Sequence, residues 1–152
     1  MPLWVIYHPD GTFEDDASQA ALSNDITGFY TSYGLPKFFV VVIFIKTPGN
    51  TTWVGGEPTS ARAKPFIRLA IDHIAVKLPD DDAIHLQTAN AFEALLKPHV
   101  ADKGYDWEWH VTENEKRLSR VNGLQAPEFG SEEAARWAKA NRPLPREDES
   151  KL

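Results

Sequence analysis

The stretch KFFVVVIFIK (37–46) constrains this chain most. From Phe38 to Ile45 every residue is aromatic or β-branched. The run is too short to cross a membrane, and it lacks the two-residue alternation of a strand with one wet face. It therefore predicts a central strand buried on both faces, and the rest of the chain must supply the cover. LWVIYH (3–8) precedes it as a short strand that ends in the turn HPDGT. The acidic run Glu14, Asp15, Asp16 suits the positive end of a helix dipole. Leu22, Ile26, Phe29 and Tyr33 then follow at i, i+4, i+7 and i+11, one face of a helix that Gly34 and Pro36 stop. This spacing assigns Tyr33 to the core stripe and Tyr30 to its edge.

The pattern then recurs. After a Gly/Pro/Thr-rich loop with one short strand at TTWV, FIRLAIDHIAV (66–76) reads as a strand. LPDDDA leads into a second helix with Ala89, Phe92, Leu96 and Val100 on one stripe, and YDWEWHVTE (105–113) closes the unit as an alternating strand. Each crossover is long enough for a right-handed parallel connection. The fold class is α+β: two fused β-α-β units forming a four-stranded, mainly parallel-paired sheet with two helices on one face. The other face is left bare, which argues for self-association. The domain spans 1–142. Ser131 caps a short C-terminal helix, and 143–152 forms a charged, Pro-rich tail, expected to be frayed.

Composition narrows the function. A net charge of −6 over 152 residues argues against nucleic acid as a partner. It also means that an acidic substrate needs a local cationic pocket. There is no cysteine, so thiol catalysis, disulfides and thiolate metal sites are excluded. The five histidines show no ligand spacing and VGGEP matches no nucleotide fingerprint, so neither a metal nor a cofactor is expected. With no signal peptide and no membrane segment, the expected location is cytoplasmic.

The chain opens MPLWV. A small second residue permits methionine removal, and Pro2 would then carry a free secondary amine. An α-amino group titrates near ~7.7–8.0. Apolar neighbours such as Leu3 and Trp4 would lower that by disfavouring the charged form, which gives a base suited to neutral pH. If Met1 is retained, the Pro2 nitrogen is an amide and cannot serve.

Several stretches together resemble a known family: Pro2 at the head of strand one, LPKFFVVVIF (35–44), IRLAIDHIA (67–75), and RVNGLQAPEFGSEEAARWAKANRP (120–143). They are similar to the tautomerase superfamily, and within it to cis-3-chloroacrylic acid dehalogenase and its homologues. The resemblance implies two β-α-β units in one chain, a homotrimeric ring, and an amino-terminal proline acting as general base or acid in a pocket near a subunit boundary. Carried over residue by residue, the match is partial. Tyr30 lies closest to the family's first-helix histidine. His73, and then Val76 or Lys77, fall where the family has two carboxylate-binding arginines. His110 falls near its tyrosine. Val121 falls near its water-activating glutamate, and Glu113 and Glu115 are close but out of place. Most of the dehalogenase machinery is missing, so the resemblance favours a simpler proton transfer at Pro2.

The candidate catalytic residues are therefore Pro2, His73 and Tyr30. Alternation places His73 with Ile67, Leu69 and Ile71 on one face, where it could hold a carboxylate or an enolate. Arg117, Arg120, His110 and Arg68 are candidate substrate-binding groups, because arginine matches carboxylates bidentately. The alternative for Arg68 is a pair with Asp72 on its own face. The expected substrate is a small enol, keto or unsaturated carboxylic acid. Two alternatives stand beside this enzyme: a non-catalytic trimeric binding protein on the same scaffold, and a ferredoxin-like ligand-binding domain, which leaves Pro2 unexplained.

Overall fold

A computed structural model describes residues 1–73 and 77–145. Strand β1 (Leu3–His8), helix α1 (Asp16–Ser32) and strand β2 (Val41–Lys46) form the first unit. A two-residue hairpin follows, β3 (Trp53–Val54) and β4 (Glu57–Pro58). The second unit is β5 (Phe66–His73), α2 (Asp82–Leu96) and β6 (Asp106–Glu113). The sheet order is β2-β1-β5-β6. Within each unit the strands pair in parallel through their helix, and the units join by antiparallel pairing of β1 with β5. Residues 74–76, the end of the predicted 66–76 strand with Val76, lie outside the described residues. No helix among the described residues is long and apolar enough to cross a membrane.

The apolar run corrects the expectation that opened the analysis. Lys37–Phe39 forms one 3-10 turn, and β2 starts only at Val41. The strand lies at the edge of the sheet, not at its centre. Its register with β1 sets Val42 beside Trp4 and Phe44 beside Ile6 on the helix side. Ile43 and Ile45 face the other way, and Ile43 is 42% exposed. The run is apolar on both sides, but the chain's own helices cover one side only.

The core lies between sheet and helices. Trp4 and Ile6 from β1, Ile67, Leu69 and Ile71 from β5, and Leu22, Ile26, Phe92 and Leu96 from the helices are fully buried or nearly so. The α1 stripe is rotated from the predicted one. Leu22, Ile26 and Tyr30 form the buried i, i+4, i+8 ridge, and Tyr33 is 58% exposed. Phe29 and Tyr33 sit on the flank facing α2, where Phe29 meets Phe92 at 5.3 Å between ring centres. The rotation brings the Tyr30 hydroxyl within reach of the Trp4 indole, which donates to it at 3.1 Å. A buried indole N–H needs such a partner.

The C-terminal segment closes the structure. Helix α3 (Glu132–Ala140) starts at Ser131, whose hydroxyl accepts from the Ala134 amide. Its buried residue Trp137 packs on Phe38 and Phe39 and donates to the Leu144 carbonyl at 2.9 Å. Asn141 ends the helix in the left-handed region at φ 47°. Its side chain accepts from the Phe38 amide at 3.1 Å. The segment is thus latched to the turn that feeds β2. Trp137→Ala should cost about 3–5 kcal/mol, seen as a lower urea midpoint. A variant as stable as the parent would show that α3 contributes little to the fold.

Candidate active site

Strand register builds the site. β1 and β5 pair with Leu3 opposite Asp72 and Trp4 opposite Ile71, and one further step sets Pro2 opposite His73. β5 and β6 pair with His73 beside Glu113. Pro2 is buried, and its carbonyl accepts from the Val41 amide at 3.0 Å. Pro2 shares the helix-side parity of Trp4, and His73 that of Ile71. A row of Pro2, His73 and Glu113 therefore crosses one end of the sheet. The Tyr30 ring closes it from α1, 5.8 Å from the His73 ring.

Burial tunes these groups. The amine at this end of the chain, on Met1, is pushed down to about 6, by desolvation first and by the charge of Lys116 second. Burial also lowers His73; the Glu113 carboxylate opposes that and the terminal amine adds to it. His73 is accordingly a neutral ring near pH 7, suited to hydrogen bonding and not to acting as a cation. Burial raises Tyr30 to about 12 against the opposing bond from Trp4, so it stays a protonated donor. Lys116 is 23% exposed at its side chain and donates to the Pro127 carbonyl and to Glu128. An unprotonated amine, a neutral imidazole, a phenol and one lysine are what a proton transfer beside a carboxylate needs.

Two cavities lie near this end of the sheet, and Pro2 lines neither. A small one, of about 30 Å³, lies where Met1 packs with Leu35, Phe39, Lys116 and Pro127. A larger one, of about 320 Å³, runs between α1 and α2 with Tyr30 and His73 in its wall. Leu35 and Phe129 line both.

Of the residues named from sequence, Pro2, His73 and Tyr30 are brought together. The other four lie elsewhere in this chain. Arg68 is on the opposite sheet face and pairs with Glu108 across β5 and β6, not with Asp72. His110, beside Ala70, is exposed on that same face. Arg117 is exposed and clamps Glu115, two residues away, which holds that carboxyl down at about 2. Arg120 donates to the carbonyls of Arg117 and Ser119. Arginine type alone gives no information on direction, and both follow a local turn. Lys116 and Phe129 were missed. Glu113 was legible as the parity partner of His73, but only once the β5–β6 register is known.

Fold and site together define a tautomerase-type protein: a doubled β-α-β sheet with a buried amino terminus at one end. The chain matches, over residues 1–142, the family described as "putative oxalocrotonate tautomerase enzyme", and it belongs to that family. Among solved structures it is similar to native RhCC from Rhodococcus jostii RHA1, at 35% identity over 95% of this chain and 99% of that one, TM-score 0.87. It is also similar to a probable enzyme from the thermophilic fungus Aspergillus fumigatus, at 36% identity over 96% and 98%, TM-score 0.85. N1, a member of the cis-3-chloroacrylic acid dehalogenase family, shares the fold at 19% identity over 99% of each chain, TM-score 0.65. Among curated proteins none matches.

The two lowered groups set a pH dependence of stability. In the unfolded chain His73 titrates near ~6.5 and the amine near ~8. Both are lower when folded, so stability is full above those values. It is lost as pH falls, because the unfolded chain takes up protons first. The urea midpoint should fall as pH drops from about 8 to about 6 through the amine's range and again below about 6.5 through that of His73, and His73→Asn should flatten the lower part of that drop. An identical slope in the variant would assign the loss to other groups.

Proposed function

We propose that this chain is an enzyme that uses the Pro2 amine, freed by removal of Met1, as general base and acid. The substrate is a small enol, keto or unsaturated carboxylic acid, and the reaction is keto–enol tautomerisation or hydration. The observation that carries this reading is the register that sets a buried Pro2 against His73, where the terminal amine is pushed down to about 6. Pro2 is itself buried, so with Met1 removed its amine should be lowered by desolvation in the same direction. The neutral amine takes a proton from the carbon next to the substrate carbonyl. Tyr30 and His73 hydrogen-bond the oxygen on which charge develops. Lys116, which donates to the Pro127 carbonyl and to the exposed Glu128, is the cation that would receive the substrate carboxylate in exchange for Glu128. The lack of the family's arginines and glutamate at matching positions counts against dehalogenation.

The expected test uses two preparations separated by intact mass. The chain starting at Pro2 should convert an enol acid with an acidic limb below neutral pH. The chain that keeps Met1 should be inactive, since its Pro2 nitrogen is an amide. Pro2→Ala should retain reduced activity. Equal turnover by both preparations would end the proline reading.

The bare sheet face supports a homotrimer, as the family resemblance implies. Val41, Ile43 and Ile45 lie in register with Leu3, Val5 and Tyr7 on that face, an apolar half-sheet uncovered by its own chain. Sedimentation equilibrium should give three chains of 17.1 kDa, and Ile43→Lys should dissociate them. A monomer at micromolar concentration would refute the assembly.

A further inference from the structure

An open hollow of about 480 Å³ lies at the opposite end of the sheet from Pro2, between the start of α1 and strand β2. We propose that it is a second binding site, for a primary ammonium carried on an apolar body, with His8, Gln19 and Glu14 as the acceptors of its three N–H donors. The site is independent of the proline mechanism. His8 lies six strand positions from Pro2, about 20 Å at the rise of a strand.

His8 carries the inference. It shares the helix-side parity of Trp4 and Ile6 and is 3% exposed. Its Nδ1 faces two oxygens, the Pro9 carbonyl and the Thr12 hydroxyl, each at 3.3 Å. The Thr12 hydroxyl donates to the same carbonyl at 2.7 Å, so toward Nδ1 both oxygens can only accept. The neutral ring therefore holds its proton on Nδ1 and a lone pair on Nε2. Nε2 has no partner. Among the described residues the side-chain atom both buried and unpartnered is Arg62 Nε, so Nε2 reaches the hollow that His8 lines. A role in the HPDGT turn accounts for Nδ1 and leaves Nε2 without a use.

Two further acceptors line the hollow. Gln19 Nε2 donates to the Phe13 carbonyl at 2.7 Å, which leaves Oε1 as the unbonded end of the amide. Glu14 bonds Lys46 through Oε1, and a carboxylate has further lone pairs to offer. Phe13 sits in the left-handed region at φ 48°, a conformation that bulky residues rarely take. Its ring lies 5.5 Å from Phe44 and 5.9 Å from His8. With Val42 these rings make an apolar wall, and aromatic faces attract a cation.

The charges select the sign of the ligand. Lys46 is already paired with Asp10 and Glu14, and an anion would have to displace one of them. A metal ion is disfavoured as well, since among the described residues no group of three or more His, Cys, Asp or Glu is placed to hold one. A primary ammonium offers three donors and a full positive charge. Its hydrocarbon body then lies against Phe13, Val42 and Phe44.

The test titrates the full chain with 2-phenylethylamine, followed by calorimetry and by the nitrogen NMR signals of the histidine rings. A Kd of about 1 mM or tighter is expected, with the Nε2 signal of His8 moving and that of His73 still. The alcohol 2-phenylethanol and the acid 3-phenylpropanoate are of similar size but neutral and anionic. Each should bind at least about tenfold more weakly than the amine. His8→Phe should weaken the amine at least about tenfold and Glu14→Gln about fivefold. Glu14 is exposed, so its variant serves if His8→Phe does not fold. No saturation at about 10 mM amine, equal binding of the alcohol or the acid, or amine binding unchanged in either variant would overturn the site. So would saturation that moves His73 in place of His8, which would put the amine between α1 and α2.

Discussion

The antiparallel pairing of β1 with β5 is the constraint on which the rest depends. Among the described residues it is the seam that joins the β-α-β units within the sheet, and one step beyond its register sets Pro2 against His73. A slip of β1 by one residue would turn Trp4 and Ile6 from the core to the bare face. The burial lost, about 1.5–3 kcal/mol for each side chain, is a large fraction of the roughly 5–15 kcal/mol that keeps a domain folded. The geometry of the site is therefore enforced by the core and not by the site residues themselves. The seam also relates the two ends of the sheet. His8 ends β1 as His73 ends β5, and by the same register His8 falls opposite Ile67. His8 is buried too, but its ring meets Thr12, the Pro9 carbonyl and Phe13. The two ends thus differ in their neighbours: His73 lies beside Glu113 and the Tyr30 ring, His8 beside Thr12 and Phe13.

The bare face is divided. On β2 and β1 it carries Val41, Ile43, Ile45, Leu3, Val5 and Tyr7. On β5 and β6 it carries Arg68 with Glu108, Asp72 and His110. Such a face covers itself best when the apolar half meets a neighbour and the polar half lies at a seam with water or with opposite charges. That fits the uniformly apolar β2, Val41 to Ile45, being an edge strand: within the chain it is half covered. It also gives Arg68 and His110 a setting outside the protomer's own site, whatever substrate the chain takes.

The strands, their order in the chain and the face of His73 were legible because period-two burial is written residue by residue. The α1 phase was not. Phe29 and Tyr33 satisfy helical spacing as well as Tyr30 does, and apolar character alone favours them. What selects Tyr30 is the Trp4 indole across the core, a partner 26 positions away. The directions of the arginines were illegible for a related reason. Arg117 and Arg120 are spent on carboxylates and carbonyls within three residues, whereas the cation beside the amine is Lys116, tied to Pro127 and Glu128 further along the chain. Long-range partners decide direction, and no local pattern carries them.

Lys116 also links binding to chemistry on the proposed mechanism. It is the second cause, after burial, of the lowered Met1 amine, and on the proposed mechanism it would act on the Pro2 amine in the same direction. A substrate carboxylate that pairs with Lys116 cancels that charge. The amine then recovers part of its ordinary affinity for a proton at the moment a carbon acid is held beside it. The enzyme would rest as a free base near neutral pH and become a stronger one on binding, with no conformational change. In a chain of net charge −6, one half-buried lysine thus serves twice: it draws an anion against the global field, and once neutralised it strengthens the base.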